Sequence, residues 1–257
     1  MYPTTKNIVL GAGHIYFDPL DASGDYTGER YLAETPGFSL AANATILEDW
    51  TADGATAEKH VFVTTQVTRD FTLTLKDFSP DNFALFVMGD ASTITTTSAS
   101  VTSDPINGGN GVLQGRWYQL GVSTTKPTGV RAITSLVIGA HTVDVDYKQD
   151  LTTGRIYIIP GGGIADDDVI TCNYSTTAVS WDHVASNDDG AVRGALRFVA
   201  ANTNGNNMDF YAPDVRMNPN GSMELKSRDT VSIMTFSVSA QVPDDGRAAV
   251  YVNGRAA

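Results

Sequence analysis

Apolar and polar side chains alternate with a period of two through much of the chain. In residues 70–76, "DFTLTLK", Phe71, Leu73 and Leu75 fall on one side, while Thr72, Thr74 and Lys76 fall on the other. That is the pattern of a strand with one buried face. The run before it, "KHVFVTTQV", reads as a second strand, so residues 59–76 are predicted as two strands meeting in a turn at Thr68–Asp70. Farther on, "SMELKS" puts Met223 and Leu225 on a common face, and in "VSIMTFSVSAQV" the apolar phase slips between Ile233 and Met234. Such a slip predicts a β-bulge, or a strand buried on both faces over part of its length.

One stretch breaks the alternation: "DFSPDNFALFVMGD", residues 77–90. Ser79 suits a helix N-cap, and Pro80 the first helical position, where an N–H has no partner to lose. Asp81 favours the positive end of the dipole, and Gly89 the left-handed C-terminal conformation. Phe83, Leu85, Phe86 and Met88 lie between these signals with Ala84 and Val87. That is more apolar surface than one face of so short a helix uses.

Residues 91–111, "ASTITTTSASVTSDPINGGNG", carry almost no large apolar side chain and read as a linker or an exposed excursion. A compact series of short strands follows: "GRWYQLGV", "VRAITSLVIG", "HTVDVDY", "GRIYIIP" and "DVITCNY". Turns separate them at the spacing of a small sandwich or barrel. From about residue 179 longer strands resume in "GALRFVAAN" and "NNMDFYAPDVRM". The expected organisation is an outer β-domain split over 1–95 and 179–257, with a small β-domain inserted at 96–178. The alternative is one continuous large sandwich.

Composition adds limits. The 257 residues exceed an average domain, and an apolar fraction of 42% supplies a core. Thr, Ser, Asn and Gly take the place of charge, a β-rich usage. A net charge of −12 argues against electrostatic capture of nucleic acid or an anionic membrane. Cys172 is the one cysteine, so no intramolecular disulfide forms. No signal-length apolar core or membrane span is evident, and the expected compartment is a cytoplasm.

Candidate chemistry is sparse. His14, His60, His141 and His183 lack partners at metal-ligand spacing, and Asp182–His183 reads as a strand-end pair. Cys172, mid-strand in "ITCNY", reads as an inert buried thiol. Gly108–Gly111 and Gly161–Gly163 do not continue into G-K-[ST], and Asp166–Asp168 lacks the alternation of a calcium loop. "SNDDGA", 186–191, reads as a turn. No cofactor or metal is expected, and no enzymatic activity. A carboxylate-pair glycosidase is the distant enzymatic reading.

The order of features resembles that of the major tail tube proteins of long-tailed, siphophage-type bacteriophages. The resemblance rests on "NIVLGAGHIYFD", then "GFSLAANATILED", the loop "WTADGATAEK" and the helix after a strand pair. It continues in the run from "GALRFVAAN" to "QVPDDG", where "PDVRMNPNG" forms a polar turn. The segment "WYQLGVSTTKPTGVRAITSLVIG…VDYKQDLTTGRIYIIPGGGI" is similar to one found in some tail tube proteins. These are patterns of strands and turns covering most of the chain, and none is a chemical signature.

The resemblance implies an all-β fold with one short helix, a β-sandwich contributing strands to a ring-shaped intersubunit β-barrel. Hexameric rings would stack into a tube through which DNA passes without specific binding, its lumen mainly acidic. The implied location is the virion tail, assembled in a bacterial cytoplasm without membrane insertion. Tape measure, tail terminator and distal tail proteins are the implied partners, and the inserted domain would decorate the tube exterior.

Trp50, in the Asp49–Lys59 loop, and Phe83, Leu85, Phe86 and Met88 are the implied assembly contacts; the alternatives are a mobile loop with Trp50 tucked back, and a helix whose apolar side chains are all core of their own subunit. The arm Met1–Lys6 and the C-terminal "PDDGRAAVYVNGRAA" would order on stacking. Arg193, Arg197, Arg216 and Arg228 are expected to pair across subunits. A virion decoration or receptor-binding β-protein, with 112–178 as its recognition part, is the alternative of a different class. A tube from a contractile injection system is a related one.

Overall fold

The computed structural model describes residues 7–186 and 192–255. The expected arm at Met1–Lys6, and all but the first residue of the expected turn at 186–191, lie outside the described residues. Those described are mostly strand, with one short α-helix, and they divide into two compact units. The first comprises 1–92 and 183–257, the second 93–182. No helix is long and apolar enough to cross a membrane among the described residues.

The first unit opens with β1 (Gly13–Pro19), β2 (Arg30–Tyr31), β3 (Gly37–Trp50) and β4 (Lys59–Leu75), followed by α1 (Pro80–Val87). The predicted turn at Thr68–Asp70 is absent. Residues 59–75 form one strand, paired antiparallel with β3 from Gly37↔Thr74 to Trp50↔Lys59, with register shifts after Thr45 and Asp49. The polar residues between the two apolar runs are accommodated because Thr68 and Arg69 are exposed and the Asp70 carboxylate accepts a hydrogen bond from the Ser239 hydroxyl at 2.7 Å.

β5 (Gly89–Thr96) leads into the second unit and pairs with β12 (Val179–Ser186), which leads out of it. Between them lie β6 (Ala99–Pro105), β7 (Trp117–Gln119), β8 (Ile133–Val137), β9 (Tyr147–Asp150), β10 (Arg155–Ile158) and β11 (Thr171–Thr176). The segment 91–111, expected as a linker or an exposed excursion, is mostly strand and mostly exposed. Its Thr and Ser side chains suit a half-exposed ladder, and Thr95 and Ser180 hydroxyls bond across β5 and β12 at 2.9 Å. Two three-stranded sheets, β7-β10-β9 and β6-β11-β8, enclose a core of Ile106, Leu120, Ile138, Ile156, Ile158, Ile164 and Cys172.

The chain returns to the first unit with β13 (Val192–Ala200), β14 (Met208–Pro219), β15 (Met234–Ala240) and β16 (Tyr251–Gly254). The eight-stranded sheet runs β2-β1-β13-β14-β15-β4-β3, with β16 also on β14. Phe71, Leu73 and Leu75 are buried as their alternation requires, against Phe236 and Val238 of β15 and Ile15 and Phe17 of β1. Phe38 of β3 stacks on Phe71 at 5.2 Å and on Phe198 of β13 at 5.5 Å, so the sheet curls over its own core. The slip at Ile233/Met234 marks where β15 begins, and no bulge lies there. Ile233 is exposed while Met234, Phe236 and Val238 are buried. Met223 and Leu225 form no strand, and Leu225 is 83% exposed.

α1 starts at Pro80 as the sequence indicates, with Asp81 in its first turn, but Ser79 makes no side-chain cap. Met88, with φ 50°, takes the left-handed position expected of Gly89, and its N–H donates to the Ala84 carbonyl. Gly89 is needed for a different reason. A Cβ there would lie 1.9 Å from the Ala185 carbonyl oxygen on the paired strand.

The helix is pinned by a buried polar contact. Asn82 is fully buried and accepts a hydrogen bond from Arg30 Nη1 at 2.6 Å, while its Nδ2 donates to the Asp77 carboxylate at 3.0 Å. Asn82→Ala leaves the half-buried Arg30 and Asp77 without that bridge. It is expected to cost about 2 kcal/mol of stability, read from urea unfolding. An unchanged midpoint contradicts the pinning.

Asp214 is buried on β14 and takes two hydrogen bonds from Arg193, at 3.0 and 2.7 Å. Those bonds hold its carboxyl below the ordinary range. A folded pKa below the unfolded value near ~4 stabilises above that pH, and the contribution is lost as pH falls through the lowered value. Thermal scans from pH 6 to pH 2 are therefore expected to show a shallower acid decline in Asp214→Asn than in the parent protein.

Candidate assembly surface

β3 and β4 leave the curled sheet together. From Leu40 to Trp50, and from Phe62 to Arg69, every residue is exposed, although the two strands remain paired. At about 3.3 Å per residue the exposed part is roughly 30 Å long. Thr51–Glu58 closes its tip, with Thr51 N–H donating to the Glu58 carbonyl at 2.7 Å. A hairpin so isolated buries no core of its own.

Its two faces differ. Alternation from Phe38 and Leu40 carries Ala42, Ala44, Ile46, Glu48 and Trp50 along the face that lies over the core at the base. Arg69, Val67, Thr64, Phe62 and Lys59 stand opposite them on β4, from Ala42 outward. This face is largely apolar, and Phe62 is 59% exposed and Trp50 51%. Lys59 closes its end: Nζ lies 5.0 Å from the Trp50 ring centroid and 5.2 Å from that of Phe62, and 2.6 Å from Glu48 Oε1. The other face is polar near the base, with Ser39, Asn43, Thr45, Gln66, Thr68 and Thr72, and becomes apolar at Leu47 and Val63. β3 is also the last strand of its sheet, so its outer row of peptide groups is open to another strand.

The sequence-expected contacts separate into two places. Trp50 stands on the arm. Leu85 is buried in the core, and Phe83 and Phe86 pack against it, Phe86 edge-on to Phe236 at 5.8 Å. Met88 is half-buried in the helix cap. The helix thus spends most of its apolar side chains within its own unit. Ile46, Leu47, Phe62, Val63 and Val67 were not among the expected contacts. Their signal was the break between the two apolar runs of 59–75.

Three of the four arginines expected to pair between subunits have partners within the chain. Arg193 bonds Asp214, and Arg197 lies 2.6 Å from Glu29 and over the Tyr211 ring at 4.4 Å. Arg216 donates to Gln241 Oε1 at 3.2 Å, and Arg228 is exposed.

No three His, Cys, Asp or Glu side chains form a metal-binding group among the described residues. Burial pushes the Cys172 thiol up to about 12, with Asp104 adding to the shift, so it stays protonated. Asp166 and Asp168 accept backbone N–H groups of Gln114 and Ala165, each at 2.7 Å, and act as turn fasteners.

The model of the family described as "Protein of unknown function UCP028589" matches residues 8–251, and the chain belongs to that family. No curated protein matches it.

Because the arm shares no core, replacing residues 44–67 by Asn-Gly, between the paired Asn43 and Thr68, is expected to leave the melting temperature within a few degrees. Calorimetry checks this. Loss of folding would show that the arm carries stability for its unit.

Proposed function

We propose that this chain is a structural subunit that polymerises as stacked hexameric rings into a bacteriophage tail tube, the channel for DNA in ejection. It acts by assembly and carries out no catalysis. The observation that carries the reading is the β3–β4 arm: paired backbone with an apolar face and no protein beneath it. An exposed apolar surface of this kind marks an interaction site, and an open edge strand is a template for pairing. A second copy of the chain is the partner that the resemblance supplies.

In this reading the first unit takes the β-sandwich tail-tube fold, and strands of six copies close the lumen as a barrel. Tape measure, tail terminator and distal tail proteins meet the tube. The −12 charge fits a conduit for DNA, since a wall that repels phosphate gains nothing from counterion release. Arg193 and Arg197, already paired with Asp214 and Glu29, add little free positive charge to such a wall.

Negative-stain microscopy of the concentrated protein is expected to show six-fold rings or hollow tubes. The doubly charged arm variant Phe62→Lys/Val67→Glu is expected to fold normally and remain monomeric. Substitution on the helix is a poorer test, because Phe86→Asp places a charge against Phe236 and unfolds the unit. Arm variants that assemble like the parent protein would contradict the proposal.

A further inference from the structure

The second unit has a groove unrelated to the arm. It lies between the free edge of β7 and the turn that follows β6, and it encloses about 410 Å³. Asp104, Asn107, Trp117, Tyr118 and Gln119 contribute to its lining. That volume falls within the range of small-ligand sites, about 300–1,000 Å³.

The geometry points to a binding site for a neutral saccharide in this groove. Trp117 supplies the flat apolar surface. The residue is 45% exposed, yet its ring is braced, with the Tyr157 ring at 5.4 Å and the Arg155 guanidinium 5.0 Å from its centroid. A rigid indole of this kind meets the C–H face of a pyranose at little entropic cost.

Hydroxyl partners surround it. Leu120 N–H donates to the Gly154 carbonyl, and Ile158 N–H to the Arg116 carbonyl. These bonds fix which peptides of β7 face β10, and alternation turns the N–H and C=O of Trp117 and Gln119 outward.

Asp104 is set in place by Gly121 N–H, donating to its Oδ2 at 3.2 Å. Gly121 has φ +62°, and a Cβ there would fall 2.6 Å from Val130 Cγ1 and 2.9 Å from the Tyr174 hydroxyl oxygen. Only glycine holds that support. Asn107 and Gly108, with φ 56° and 64°, turn the chain at the opposite rim.

Two other ligand classes fit less well. β7 has three residues, too short an edge for an added peptide strand to gain much. The Asp104 carboxylate opposes a sulfated or phosphorylated ligand.

Saturation-transfer NMR on the full chain tests the site with maltotriose, chitotriose and a galactose trisaccharide, and with a sulfated disaccharide as the anionic probe. Transfer to the pyranose C–H groups of at least one neutral sugar is expected. Trp117→Ala is expected to weaken binding at least about tenfold, while Trp181→Ala, in the same unit, leaves it unchanged.

Absence of transfer from all three neutral sugars, or binding that survives Trp117→Ala, would overturn the assignment. Preference for the sulfated probe would do the same. The measurement uses unassembled protein, so its outcome is independent of the tube.

Discussion

A paired backbone with no core beneath it is the constraint on which the first unit turns. Ordering each residue costs about 1–2 kcal/mol in backbone entropy, while a net hydrogen bond returns about 1 kcal/mol. Burial normally supplies the difference, as it does at the base of β4, where Phe71, Leu73 and Leu75 are buried. Beyond Asp70 the same strand has no such source, and an isolated two-stranded hairpin is marginal in water. The arm is therefore incomplete as it stands, and the apolar face from Leu40 to Trp50 identifies what it lacks.

The helix has the opposite character. Its run of Phe83, Leu85, Phe86 and Met88 resembles an interaction surface in the sequence, yet Leu85 is buried and both Phe side chains pack on the core. A curled sheet has an open flank, and one short helix closes it, held by Asn82 between Arg30 and Asp77. The buried asparagine fixes how the helix lies, and the aromatics fill the space beneath.

Local pattern was legible where one face of a strand is buried, as at Phe71–Leu75, and where a helix announces itself by proline and an acidic first turn. It misled where burial is absent. Residues 59–75 look like two strands because one residue of β4 is skipped between Gln66 and Thr64, which changes the phase of the apolar pattern, whereas the pairing with β3 resumes on the far side. Residues 91–111 look like linker because their strands rely on hydroxyl ladders such as Thr95 with Ser180. Left-handed Met88 could not be read either, since the preference of glycine for that geometry masks the close approach of Ala185 that Gly89 serves. Of the expected contact residues, Trp50 alone lies on the arm, because exposure depends on tertiary neighbours that alternation does not reveal.

The most direct measurement is amide hydrogen exchange, followed by mass spectrometry, over peptides spanning 40–50 and 60–69 as protein concentration is raised. The account expects rapid exchange in dilute protein and strong protection in the assembled fraction, with the β13–β14 core protected in both. Arm amides that are protected to the same extent at every concentration would contradict it.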